Sequence, residues 1–392
     1  MTQTAIVAIS LPGTRLARSL HRLLEGDNTL FLDRRFIFDG DNDSGNDGDD
    51  AIVFDLPVRP LIHQVFDDYQ RLVLFMPVGA AVRLLAPRLE GKRQDPAVVC
   101  VDDGGRFAVS FVSGHTGGAD QLAEAVAKAL GGTPVITSAS HATGTLAVDL
   151  LGQEFGWRVE ADPTALTRAS AAVINGQPVG IFQETGEPDW WPEDQALPQN
   201  LQVYTSLAAV ESAGCAAVLL ISDAANIADE CAQAGIGKPV VVFRPRSLMV
   251  GMGCRKGVPS GELEDLLTTT FSRHGLAMDS IGCIATADLK ENEPGILELA
   301  EKLGVPVQCY DSGALNAVFE PGGENPPNPP LRKGGVEPAG LVPVPSEAPR
   351  RLVGIWGVCE PAALLASGGT ELLVPKQKAA RATVAVARKV YL

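Results

Sequence analysis

The sequence predicts an α/β protein built as three successive units with mostly parallel sheets. Three observations carry that expectation. Short β-branched runs alternate with Ala/Leu-rich stretches along most of the chain, the pattern of sheets covered by helices. The 392 residues exceed one ordinary domain of roughly 150 residues. Hydrophobic residues make up 45%, which supplies a sizeable core and excludes disorder of the whole chain.

Taken in order, the first unit spans residues 1–137. The apolar run Ala5-Ile6-Val7-Ala8-Ile9 opens it. Residues 72–76, 97–101, 107–112 and 134–137 read as strands, and 80–89 and 121–130 as helices. Gly131-Gly132 stops the second helix, as glycine does just past a helix end. The second unit, 138–246, has helical patterns at 147–155 and 164–174 and strands at 179–182, 217–221 and 240–243. The third, 247–392, begins with a strand at 248–252 and a helix at 261–273. A strand at 281–285 and helices at 294–303 and 359–366 follow, with closing strands at 372–374 and 383–387.

Two segments break the rhythm. Residues 321–349 hold nine Pro and five Gly in 29 positions and read as a disordered insertion, because such a stretch cannot donate ladder hydrogen bonds regularly. Residues 39–50 carry six Asp and no basic residue. Their spacing resembles a calcium loop, but Ser44 stands where the sharp turn needs Gly and Asp50 where a bidentate Glu belongs, so a solvated loop is expected.

Charge and cysteine usage narrow the function. Lys and Arg number 32 against 47 Asp and Glu, a net charge of −15, which argues against nucleic acid as a partner. An anionic ligand then requires cations concentrated locally. The seven Cys are odd in number and form no CxxC pair, so neither a disulfide framework nor a structural zinc site is expected. The N-terminal apolar run is too short and lacks the basic flank of a signal peptide. No stretch approaches the ~20 apolar residues of a membrane span. A cytoplasmic protein without a membrane partner is expected.

Three glycine-rich motifs hold the candidate chemistry. Ser113-Gly114-His115-Thr116-Gly117-Gly118-Ala119-Asp120 joins a strand to a helix, an arrangement expected to expose backbone N–H groups to an anion. Gly114, Gly117 and Gly118 allow close approach. His115 adds a side chain whose unperturbed pKa suits proton transfer near neutrality, with Ser113 and Asp120 as companions. The second motif, Pro77-Val78-Gly79-Ala80-Ala81-Val82-Arg83, is followed by Arg88, Lys92 and Arg93. Gly79, Arg83 and Lys92 form a candidate carboxylate-binding edge. In the third, Gly251-Met252-Gly253-Cys254-Arg255-Lys256-Gly257, the last glycine is one residue late for a dinucleotide fingerprint and no acid follows at the right distance. Gly251, Gly253, Arg255 and Lys256 suit a second anion-contacting turn.

Together these motifs resemble the cobalamin biosynthesis protein G family. The likeness runs through 74–137, resumes at Val250-Gly251-Met252-Gly253-Cys254-Arg255-Lys256-Gly257, and returns in Glu360-Pro361-Ala362-Ala363-Leu364-Leu365 and Leu372-Leu373-Val374-Pro375-Lys376. Ser140-His141 departs from the expected run, and Asp120 stands where Asn is frequent. The resemblance implies N-terminal, central and C-terminal domains and a hydrolase of anaerobic cobalamin biosynthesis. Its implied reaction opens the δ-lactone of cobalt-precorrin-5A and releases acetaldehyde, giving cobalt-precorrin-5B. It implies a cobalt-corrinoid substrate that carries its own metal, so that no cofactor or protein metal site is needed. Neighbouring cobalamin-pathway enzymes are implied as partners. A carbon–carbon cleavage of the retro-aldol type needs a base, and His115 is the expected one. The alternative is a non-catalytic escort that binds the corrinoid intermediate through the same turns.

Overall fold

The structure, a computed structural model, describes residues 3–37, 50–91, 94–115, 117–138, 144–192, 194–233, 235, 237–319 and 356–391. It divides into two compact units, Met1–Leu150 and Leu151–Leu392. The proposed insertion at 321–349, nearly all of the Asp-rich stretch, Lys92 and Ser140-His141 lie outside the described residues.

The first unit holds strands β1 (Thr4–Ala8), β2 (Asn28–Asp33), β3 (Ile52–Phe54), β4 (Arg71–Phe75), β5 (Ala97–Val101), β6 (Phe107–Val112) and β7 (Thr133–Val135). Helices α1 (Leu11–Leu23), α2 (Arg59–Asp68), α3 (Val78–Leu85) and α4 (Ala119–Leu130) connect them. The sheet order is β3-β2-β1-β4-β5-β6-β7. All five residues of β1 are buried, as expected where helices cover both faces of a parallel sheet. The period of two sorts them: Ile6 and Ala8 meet Ala17, Leu20, Leu122 and Val126 on one face. Ala5 and Val7 meet Ile62, Val65, Ala81 and Leu85 on the other. Ser10 caps α1 by accepting a hydrogen bond from the Gly13 N–H.

The parallel pattern reverses after β5, where β6 and its parallel neighbour β7 run the other way. β6 runs antiparallel to β5, with Val98 opposite Val112 and Val101 opposite Ala108. The cause is chain length, because only residues 102–106 join the two strands, and a parallel crossover needs a dozen or more.

The second unit contains two sheets. Strands β8 (Arg158–Glu160), β9 (Val179–Gln183), β10 (Leu201–Tyr204), β11 (Ala217–Ile221) and β12 (Val240–Arg244) are ordered β10-β9-β11-β12-β8. Helices α5 (Pro163–Ile174), α6 (Leu207–Ser212) and α7 (Ile227–Gln233) accompany them. The helix expected at 147–155 is instead two 3₁₀ turns, Val148–Leu150 and Gln153–Phe155. Gly152 and Gly156, in the left-handed region at φ 73° and 72°, flank the second turn and end helical continuation.

The other sheet, ordered β15-β14-β13-β17-β16, comprises β13 (Leu248–Cys254), β14 (Ile281–Ala287), β15 (Val307–Tyr310), β16 (Val374–Lys378) and β17 (Ala382–Arg388). Its helices are α8 (Ser260–His274), α9 (Pro294–Leu303), α10 (Ser312–Ala317) and α11 (Cys359–Ser367). The closing strand expected at 372–374 begins only at Val374. As an edge strand, β16 accommodates polar residues and Pro375. The two sheets are tied by Asp223, whose buried carboxylate accepts hydrogen bonds from Arg388 at 2.6 and 2.9 Å and from the Ser247 hydroxyl at 2.8 Å. All seven thiols are free, and burial pushes that of Cys100 up to about 12.

Candidate functional site

The turn between β6 and α4 is folded tightly on itself. Ser113 has φ +57°, an uncommon conformation for a residue with a side chain, and its hydroxyl donates to the Asp95 carbonyl at 2.9 Å. A Cβ at Gly117 would lie 2.3 Å from Ser113 Cβ and 2.7 Å from its carbonyl oxygen. One at Gly114 would lie 2.7 Å from Asp120 Oδ1. Gly118, at φ +86°, leads into α4. The glycines therefore serve the close return of the chain.

That return also uses the backbone donors expected to face a ligand. The N–H groups of Gly118, Ala119 and Asp120 donate to the carbonyls of His115, Ser113 and Gly114, at 3.0, 3.1 and 3.0 Å. A carboxylate, Asp120, occupies the first turn of α4. The sequence expectation of an open N–H cradle for an anion is thereby corrected: these three donors close the turn.

What the turn presents is an imidazole between acids. His115 is about one-quarter exposed, with Nδ1 3.3 Å from Asp149 Oδ1 and Nε2 3.7 Å from Asp120 Oδ2. Asp120 is largely buried, and its Oδ1 accepts the Ser110 hydroxyl at 2.5 Å. Of the three residues expected to act together, His115 and Asp120 meet, while Ser113 latches the loop. Asp149 was missed by sequence reasoning. Its signal was an acid inside the apolar stretch Leu146-Ala147-Val148-Asp149-Leu150-Leu151, most of which falls in the helix expected at 147–155.

The second motif lies elsewhere. Gly79 and Arg83 sit on α3, which follows the C-terminal end of β4. Because β6 is antiparallel, the His115 turn leaves the opposite edge of the same sheet. The strands between are five residues long, so the edges are roughly 16 Å apart. Arg83 is exposed and donates through Nη1 to the Gly79 carbonyl at 2.6 Å. This register separates the second motif from the His115 turn along the strands.

In the third motif, Gly251 and Gly253 lie within β13 rather than in a turn. A Cβ at Gly251 would fall 1.7 Å from the Cys359 carbonyl oxygen, so this glycine lets α11 cross the strand. At Gly253 the neighbour is Thr383 Oγ1, at 2.9 Å. Their expected ligand contact thus gives way to packing. Arg255 and Lys256 follow the strand and are exposed, and Gly257 donates to Glu293 Oε1 at 2.5 Å. Among the described residues, no helix is long and apolar enough to cross a membrane.

Comparisons with known proteins match this sequence along most of its length. Residues 60–141 match the family model "Cobalamin synthesis G N-terminal", 146–245 "Cobalamin biosynthesis central region", and 248–387 "Cobalamin synthesis G C-terminus". A cobalt-precorrin-5A hydrolase of Priestia megaterium is 33% identical over 383 residues, covering 98% of this chain and 94% of that protein. A protein of the same name from Salmonella typhimurium is 30% identical, over 67% of this chain and 72% of its own. A solved structure of a putative cobalamin biosynthesis protein G homolog from Sulfolobus solfataricus aligns over 99% of this chain and 97% of its own. Its identity is 18% and its TM-score 0.36. With three successive family models matched in order and a relative similar over nearly the whole chain, this protein belongs to the cobalamin synthesis G family.

Proposed function

We propose that the chain is a cobalt-precorrin-5A hydrolase that opens the δ-lactone of its substrate and releases acetaldehyde. The near full-length similarity to the Priestia megaterium hydrolase carries this assignment. Cobalt enters as part of the substrate.

Water adds to the lactone carbonyl and the ring C–O bond breaks, leaving a carboxylate and a hydroxyl on the two-carbon fragment. His115 Nε2 then takes the hydroxyl proton. The bond from the fragment to the macrocycle breaks, its electron pair passes to the macrocycle, and acetaldehyde departs. The proton on Nε2 is available to reprotonate the macrocycle. This assignment is supported by the partial exposure of His115 and by its position between the carboxylates of Asp120 and Asp149.

The test is incubation of the purified protein with cobalt-precorrin-5A, with trapping of acetaldehyde and mass analysis of the macrocycle. Stoichiometric acetaldehyde is expected. Saturable binding without release would identify an escort protein instead.

A further inference from the structure

The proposed base needs one particular tautomer. For Nε2 to accept a proton, the ring hydrogen must sit on Nδ1, and something must hold it there. Asp149 is placed to do so, with Oδ1 3.3 Å and Oδ2 3.4 Å from His115 Nδ1. Its carboxylate is not the tip of a long surface side chain. It projects from the short turn Val148–Leu150, where Val148 is 1% exposed and nearby Leu146 6%, so the carboxylate is carried on anchored backbone.

The two acids around the ring are not equivalent. Asp149 lies within the outer range of a hydrogen bond to Nδ1, whereas Asp120 stands 3.7 Å from Nε2 and already accepts the Ser110 hydroxyl. We propose that Asp149 is the positioning residue of His115: it accepts the Nδ1 hydrogen, fixes the ring and its tautomer, and offsets the imidazolium charge once Nε2 is protonated. This rests on the reading of His115 as the base. The substrate proton moves to Nε2 alone, and the Nδ1 hydrogen stays on nitrogen throughout, as in the orienting role of the aspartate in a Ser-His-Asp triad. His115 lies in the stretch matching the N-terminal family model and Asp149 in the stretch matching the central one, so the pair bridges two sequence regions.

The experiment uses the full chain with ¹⁵N-labelled histidine, together with the variants Asp149→Ala, Asp149→Asn and His115→Gln. The wild-type imidazole is expected to show the Nδ1–H tautomer when neutral, and Asp149→Ala to show Nε2–H. Single-turnover acetaldehyde release should fall by roughly 10²-fold or more in Asp149→Ala, with substrate Kd unchanged and no further loss on combining it with His115→Gln. Asp149→Asn, of the same shape, covers the case in which the alanine variant does not fold and is expected to slow release as well. An unchanged tautomer and unchanged release in a folded Asp149 variant, alongside a slow His115→Gln, would overturn the positioning role and leave the base standing. If His115→Gln itself releases acetaldehyde at the wild-type rate, the base reading fails and the positioning role in catalysis fails with it. The tautomer spectrum then reports only whether the contact exists.

Discussion

Val112, at the end of β6, pairs with Val98 near the start of β5. This pairing places the His115 turn at the sheet edge opposite Gly79 and Arg83, and separates two motifs that look equivalent in sequence.

The separation predicts a minor role for Arg83 in holding a substrate at His115. Arg83→Ala should leave substrate affinity within a few-fold of wild type, since its guanidinium is engaged with its own helix. Spectroscopic titration of the Arg83→Ala variant with the corrinoid substrate measures it. Tight dependence on Arg83 would place the substrate at the other edge.

Gly251→Ala is expected to destabilise the chain by at least the ~1–3 kcal/mol typical of overpacking, because the new Cβ meets backbone atoms of α11 that cannot rotate away. Urea denaturation provides the value. A variant as stable as wild type would mean that α11 does not cross the strand as described.

Asp223 and Arg388 join the two sheets of the second unit. Arg388→Met removes the main partner of a carboxylate that is 1% exposed, at a cost of about 3 kcal/mol, the lower end for a broken buried pair because the guanidinium is itself half exposed. Calorimetry should show a lower Tm. An unchanged Tm would show that Ser247 alone satisfies the carboxylate.

Acid should release a further contribution. The Lys290 ammonium, hydrogen-bonded to Glu293, holds that carboxyl below its ordinary value of 4.5, with the Gly257 N–H assisting and burial opposing. A depressed folded-state pKa gives stability that is complete above the unfolded value and is lost as pH falls through the folded one. Glu293→Gln should therefore flatten the loss of stability below about pH 4.5 and change its slope little near neutrality. Equal slopes for variant and wild type between pH 3 and 5, the interval spanning the ordinary value, would contradict this linkage.

Much of the fold was legible because buried parallel strands read as apolar runs. Residues 97–101, 107–112 and 217–221 coincide with observed strands, and 294–303 with a helix. The short, polar edge strands β8, β10 and β15 carried no such signal, since an edge strand needs neither burial on both faces nor a continuous apolar run. The direction of β6 is encoded in the five-residue link 102–106, which is too short for a parallel crossover. In the site, His115 and Asp120 were found because they share one turn. Asp149 approaches from 34 residues away, a contact that arises only from tertiary folding.

The most direct test of the account is single-turnover acetaldehyde release from cobalt-precorrin-5A by His115→Gln, with binding measured in parallel. Loss of a general base predicts release slower by about 10²–10⁴-fold with substrate affinity retained. Release within a few-fold of wild type at full affinity would contradict it, and would leave the turn carrying His115 as a structural element of the sheet edge.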